Sequence, residues 1–123
     1  MLAINGGPRK NWNTDNLLNE ALKGAASKGA KTEIINLYEL NYKGCISCFA
    51  CKRKGVVLEQ CSVKDGLFPV LEKIRHAEAL IIGSPIYFSC VTGETRSFLE
   101  RLLFPYISYD QKPSSFGGKI KTA

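Results

Sequence analysis

Four of the five cysteines in this 123-residue chain lie between positions 45 and 61. Cys45, Cys48 and Cys51 are spaced by three, and Cys61 follows ten residues later, so four thiolates can reach one site. The even spacing of the first three is typical of a loop that wraps a [4Fe–4S] cluster. Free or redox-active thiols and zinc are the alternatives, although structural zinc usually takes paired ligands with a longer gap between the pairs.

A second segment that could bind a ligand is the loop GGPRKNWNT at residues 6–14, which leads from an apolar run into a predicted helix. Unpaired backbone N–H groups and the positive end of the helix dipole attract an anion at such a position. Arg9 adds a planar charged donor suited to phosphate. The loop therefore indicates a phosphate site, and the alternative is a plain turn whose helix is capped by Asn13 or Thr14.

A third segment, SPIYFSCVTG at residues 84–93, follows a predicted buried strand and contains two adjacent aromatic residues, Tyr87 and Phe88. One of these two side chains would normally be buried in the core. Two adjacent aromatic residues in a loop that also contains Pro, Ser and Thr therefore indicate a site for a ligand with a flat ring system. Cys90 in this loop is predicted to be a small packed residue and not a nucleophile.

The hydrophobic pattern predicts how these loops are positioned. Apolar runs at 1–5, 32–37 and 79–83 predict strands, and helical spacing of apolar residues predicts a helix from Asn13 or Thr14 to Gly29. Two more helices are predicted, one from Asp65 to His76 and one that Pro105 closes. A parallel sheet with right-handed crossovers would place both loops at the carboxyl ends of its strands, where ligands bind in open α/β sheets.

Composition and charge narrow the function classes. The chain is 45% hydrophobic and 23% charged, as in a globular domain, and no apolar run reaches the roughly 18 residues of a membrane helix. The formal net charge of +6 is scattered apart from a cluster at residues 52–54, which disfavours nucleic acid and favours an anionic small molecule. We expect a cytoplasmic protein with reduced thiols, and we interpret the single histidine, His76, as a structural surface residue.

Together these segments resemble the NADPH-dependent FMN reductase branch of the flavodoxin-like flavoproteins, including its iron–sulfur flavoprotein members. Residues 5–14 resemble the phosphate loop, 45–51 the cysteine segment and 83–89 the isoalloxazine loop. The family usually has Ser where this chain has Gly7, and its fourth cysteine usually comes sooner than Cys61. The resemblance implies that the loops' cofactor-binding residues are Pro8, Arg9, Asn11, Asn13, Thr14, Pro85, Ile86, Tyr87, Phe88 and Ser89.

The resemblance also implies a flavodoxin-like doubly wound parallel sheet of order 2-1-3. We expect one domain over 1–123 with a cysteine-rich irregular insertion at about 38–62. Residues 116–123 are expected to begin a fourth strand, so the chain is expected to be the N-terminal portion of the fold, with strands 4 and 5 missing or incomplete.

The function that the resemblance implies is an FMN-dependent oxidoreductase in which NAD(P)H delivers hydride to N5 of FMN. Electrons then pass to a quinone, a flavin, another acceptor or an iron–sulfur cluster, and no side chain is predicted to act as an acid or base. A non-enzymatic electron-transfer flavoprotein or iron–sulfur flavoprotein is the alternative. A homo-oligomer is expected, with neither a nucleic acid nor a membrane as a partner.

Overall fold

A parallel three-stranded sheet forms the centre of the computed structural model, which describes residues 1–53 and 60–107. Its strands are β1 (Leu2–Asn5), β2 (Glu33–Asn36) and β3 (Leu80–Gly83). Their order is β2-β1-β3, and Ile4 of β1 lies between Ile35 and Ile82. This order confirms the predicted flavodoxin-like α/β fold, in which both loops leave the same edge of the sheet.

Helices cover the two faces of the sheet. On one face, Ala3 packs against Leu18 and Leu22 of α1 (Asn13–Ala26). On the other, Ile4 packs in a larger cluster with residues of α2 (Phe68–Arg75) and α3 (Gly93–Leu103). Because successive residues of a strand point to opposite faces, β1 is buried along its whole length.

A short antiparallel hairpin follows β3. Its strands β4 (Ile86–Tyr87) and β5 (Cys90–Val91) pair Tyr87 with Cys90 across a two-residue turn. Phe88 and Ser89, the two turn residues, have φ values of 49° and 61°, the left-handed region that Asn and Gly usually occupy in such turns. The sequence had predicted only a loop here, because Phe-Ser carries none of the usual hairpin signal.

Two predicted helix starts differ from the structure. The N-cap of α1 is Trp12, with no capping side-chain bond, so the prediction that Asn13 or Thr14 caps the helix is wrong. The nearby backbone N–H of Asn11 is instead bonded to the Asp15 carboxylate at 2.8 Å. The second helix begins at Phe68 rather than beside Asp65, whose carboxylate accepts the Leu67 N–H at 3.1 Å in the preceding turn.

Two of the three helix ends agree with the sequence, whereas α1, predicted to reach Gly29, ends at Ala26. His76 is the C-cap of α2, as predicted, and α3 ends beside a short 3-10 turn, Phe104–Tyr106, that contains Pro105. Two further 3-10 turns, Leu37–Glu39 and Ala50–Lys52, interrupt the segment expected to be irregular. None of the helices in the described ranges is long and apolar enough to cross a membrane. The fourth strand predicted at 116–123 lies outside the described residues.

Candidate functional site

The side chain of Asn5, the last residue of β1, organises the start of the 6–14 loop. Its Oδ1 accepts the Gly7 N–H at 2.9 Å, and its Nδ2 donates to Asp15 Oδ1 at 3.2 Å and to Asn36 Oδ1 at 3.0 Å. Asn5 is only 1% exposed, so these bonds fix the loop to both the sheet and α1. Sequence reasoning did not single out Asn5, because an Asn at a strand end is also common in simple turns.

Gly6 and Gly7 allow the loop to lie against its neighbours. The Gly6 N–H donates to Gly83 O at 2.7 Å, and Thr92 Oγ1 donates to Gly6 O at 2.8 Å. A Cβ on Gly6 would lie 1.8 Å from Thr95 Oγ1, whereas one on Gly7 would meet Asn5 Oδ1 at 3.1 Å. The loop thus has no room for a side chain at Gly6, whereas a small side chain at Gly7 would make a tight contact with Asn5.

The charged residues of the loop differ in their partners. Arg9 is exposed, and its guanidinium lies over the Trp12 ring, 4.5 Å from the ring centroid. Lys10 forms an ion pair with Glu39, and the bond to that carboxylate raises the pKa of Lys10. Arg9 is therefore the basic residue positioned beside the groove by stacking on an aromatic ring.

The second loop is fixed to the first through the N-terminus of α3. Ser84 Oγ accepts the Thr92 N–H at 3.0 Å and donates to Pro85 O at 2.9 Å. Thr92 is the N-cap of α3, and its hydroxyl accepts the Thr95 N–H at 3.2 Å. This chain of bonds holds the hairpin beside the 6–14 loop.

Between the two loops is a groove of about 300 Å³. Six of the ten predicted cofactor-binding residues line it together with Gly7 and Trp12; these six are Pro8, Arg9, Asn13, Thr14, Pro85 and Tyr87. The other four lie outside its lining. Asn11 has a φ of 59° and is bonded through its N–H to Asp15, and Ile86, Phe88 and Ser89 belong to the exposed hairpin. Trp12 was missed because a single aromatic residue in a polar loop carries no pattern.

The four predicted metal ligands, Cys45, Cys48, Cys51 and Cys61, line one pocket against the C-terminal end of α3. Cys90, in β5, is not part of this lining, and it is exposed rather than packed as predicted. As placed, no three His, Cys, Asp or Glu side chains in the described ranges are grouped as metal ligands. The fold thus gathers the four thiols in one pocket without arranging them around one point.

The cysteine segment turns sharply between its ligands. Ser47 and Phe49 have φ values of 52° and 53°, and the Phe49 ring packs edge-on against Phe104 with centroids 5.7 Å apart. Lys52 Nζ donates to the carbonyl oxygens that follow α3, including Pro105 O at 3.1 Å. Burial raises the pKa of the Cys51 thiol, an effect that the adjacent Lys52 partly offsets.

Arg101 of α3 lies on the other side of this pocket and is 2% exposed. Its guanidinium bonds to Asp65 Oδ2 at 2.5 Å, and its Nε donates to Cys61 Sγ at 3.4 Å. Burial alone would lower the pKa of Arg101, but the bonds to Asp65 and Cys61 hold it above its ordinary value. A charged Arg in a helical pattern predicts a solvated surface residue, so the sequence did not indicate this position.

Comparison with known protein families identifies the fold's relatives. Residues 1–121 match the family described as NADPH-dependent FMN reductase. The chain belongs to this family. Membership confirms the predicted resemblance and supports an FMN flavoprotein, and the groove lies where the family's two flavin loops were predicted.

Individual relatives of the chain are also flavoproteins by name. The chain is 42% identical to an iron–sulfur flavoprotein of Archaeoglobus fulgidus, over 82% of this chain and 47% of that protein. It is 35% identical to one of Methanocaldococcus jannaschii, over 82% and 50%, and 32% identical to one of Clostridioides difficile, over 94% and 55%. The chain thus spans about half the length of these relatives. No solved structure gave a significant match.

Proposed function

We propose that the protein is an FMN-dependent oxidoreductase that receives electrons from NADH or NADPH and passes them to a small-molecule or protein acceptor. The observation that carries the proposal is the groove between the 6–14 loop and the hairpin, at the carboxyl ends of β1 and β3. When bound, FMN supplies hydride and single-electron chemistry. The residues of this chain bind and orient it.

The phosphate of FMN would lie at the N-terminus of α1. Trp12, the N-cap, supplies no side-chain acceptor, so first-turn N–H groups are open to an anion, and Asn13 and Thr14 line the groove there. Arg9 can add a charge-assisted bond from the groove wall. The Asp15 carboxylate is occupied by Asn5 and Asn11, which limits its repulsion of the phosphate.

The ring system of FMN would lie toward Pro85 and Tyr87, on the hairpin side of the groove. Tyr87 is 47% exposed, so its ring is accessible to a flat ligand. Trp12 is 57% exposed, although the Arg9 guanidinium covers one face of its ring. The more exposed apolar side chains of the hairpin, Ile86 and Phe88, support the expected homo-oligomer, which light scattering of the purified chain would test.

Anaerobic reduction of the bound flavin tests the proposed reaction. NADPH and NADH are added separately to the FMN-loaded protein, and the absorbance of oxidised flavin is followed. At least one of them should bleach the flavin as completely as a chemical reductant does. Bleaching by the chemical reductant alone would instead support an electron carrier that is reduced by a partner protein.

We propose further that Cys45, Cys48, Cys51 and Cys61 hold a [4Fe–4S] cluster. The four thiols line one pocket, and four thiolates are the donor set that such a cluster requires. The relatives named iron–sulfur flavoprotein support the cluster over free thiols or zinc. The cluster would serve as an electron donor or acceptor for the flavin.

Iron and acid-labile sulfide in anaerobically purified variants test the cluster. Cys61→Ser should lose most of the iron, whereas Cys90→Ser is the matched control because Cys90 is outside the pocket lining. Equal iron in the two variants, or zinc in place of iron, would contradict the assignment.

A further inference from the structure

The buried side chain of Arg101 has four hydrogen-bond partners. Besides Asp65 and Cys61, its Nη1 donates to Lys43 O at 3.2 Å and its Nη2 to Val63 O at 2.8 Å. Burying a guanidinium is costly unless it is fully bonded, and an apolar residue at this position of α3 would avoid the cost. The buried guanidinium at this position therefore has a role other than packing.

The partners of Arg101 indicate that role. Lys43 lies two residues before Cys45, and Val63 lies two residues after Cys61. One planar side chain thus joins the two ends of the cysteine segment while it also contacts the last of the four sulfurs. A lysine could not do this, because its single ammonium lacks the spread of five N–H donors.

The spacing of the cysteines gives such a link a role in placing the fourth ligand. Nine residues separate Cys51 from Cys61, against two between each of the earlier pairs. Because the segment between Cys51 and Cys61 is longer, it restricts the position of Cys61 less than the short segments restrict the other cysteines. Cys61 also packs against the core cluster that contains Ile4, so the segment around Cys61 lies beside α3.

We propose that Arg101 is a positioning residue that holds Cys61 at the site as the fourth thiolate and raises the reduction potential of the cluster. The inference rests on the proposed [4Fe–4S] site and adds a residue that is not itself a ligand. A cationic N–H donor to a ligand sulfur stabilises the more negative, reduced cluster more than the oxidised one. The potential therefore rises when the bond is present and falls when it is lost.

Arg101→Lys tests the proposal, with Arg96→Lys as the matched control. Arg96 lies on the same helix, but its side chain is exposed and paired with Glu100 at 3.3 Å. The full chain of each variant is purified anaerobically, and iron, sulfide, bound FMN and the cluster's midpoint potential are measured. Arg101→Lys should lose at least half of its iron, its remaining cluster should have a lower potential, and it should keep wild-type FMN affinity. Arg96→Lys should match the wild type.

Asp65→Asn provides a second variant in case Arg101→Lys does not fold. It keeps the guanidinium but removes the carboxylate that orients it, so iron should fall by a smaller factor and the potential should shift in the same direction. Wild-type iron and potential in a folded Arg101→Lys, or in Asp65→Asn alone if the other does not fold, would overturn the proposal. A wild-type protein without iron would instead refute the cluster itself.

Discussion

The groove and the cysteine pocket lie at opposite ends of α3 and are built by different means. Around the groove, backbone atoms of Gly6 and Gly83 and short side chains such as Thr92 make the fixing bonds, at the ends of regular strands. Around the cysteine pocket, long side chains such as Arg101 and Lys52 make them, across irregular backbone. A site of the first kind is fixed by sheet topology, and one of the second kind by a few distant residues.

Gly6→Ala should have the largest effect on stability, because it disturbs the close backbone contacts beside the groove. The added Cβ would lie 1.8 Å from the hydroxyl of Thr95, which is fully buried and bonded to Thr92 and so has little room to move. We expect a loss of about 3 kcal/mol or more in the free energy of unfolding, measured with urea. Gly24→Ala is the control: no other side chain of the described residues lies within 4 Å of the Cβ that alanine would add, so it should stabilise α1 by up to about 1 kcal/mol. Similar effects of the two would contradict the close packing of the loop.

Arg9→Ala removes the positive charge that stacks on Trp12 at the wall of the groove. Affinity for FMN should fall by about 1.5 to 3 kcal/mol, while affinity for riboflavin, which lacks the phosphate, should change much less. Fluorescence titration measures both. Lys10→Ala is the neighbouring control, since Lys10 is paired with Glu39. Equal losses for the two ligands would show that Arg9 does not bind the phosphate.

Asp65→Asn tests the long side-chain contacts beside the cysteine pocket through the pH dependence of folding stability. Burial alone would raise the pKa of Asp65, but bonds from Arg101 and from the Leu67 N–H hold it below its ordinary value of 3.8. A depressed carboxyl pKa stabilises the fold above the unfolded pKa, and the gain is lost as pH falls through the folded pKa. The variant should therefore be about 1 to 2 kcal/mol less stable near neutral pH, with the difference shrinking below about pH 4.

Urea unfolding at several pH values measures that difference. Glu20→Gln serves as the control, because Glu20 forms an exposed ion pair with Lys23. A difference between Asp65→Asn and the wild type that stays constant down to pH 3 would show that the Arg101 contact does not depend on the carboxylate charge.

Gly7→Ser should have the smallest effect. A Cβ at this position would meet Asn5 Oδ1 at 3.1 Å, and Asn5 is held by its other bonds, so a loss of about 1 kcal/mol or less in stability is expected. The added hydroxyl should partly offset this by tightening FMN, seen as a larger ligand-induced rise in melting temperature. FMN binding that is unchanged or weaker than in the wild type would contradict a donor role for a serine at this position.

Sequence reasoning succeeded where local pattern fixes the structure. The apolar runs at 1–5, 32–37 and 79–83 predicted the three strands, and the family resemblance implied their order, β2-β1-β3. It failed at the hairpin, where Phe88 and Ser89 adopt positive φ without the usual residues, and at the cap of α1. It could not find Arg101, because the contacts that bury this residue come from positions more than 35 residues away in sequence.

The cofactor content of the anaerobically purified wild-type chain tests whether one chain binds both FMN and an iron–sulfur cluster. Flavin, iron and acid-labile sulfide are measured on one sample and divided by protein concentration. The proposed FMN groove and the proposed cluster site predict about one FMN, four iron and four sulfide per chain. Protein that takes up neither FMN on titration nor iron and sulfide on anaerobic reconstitution would contradict the account.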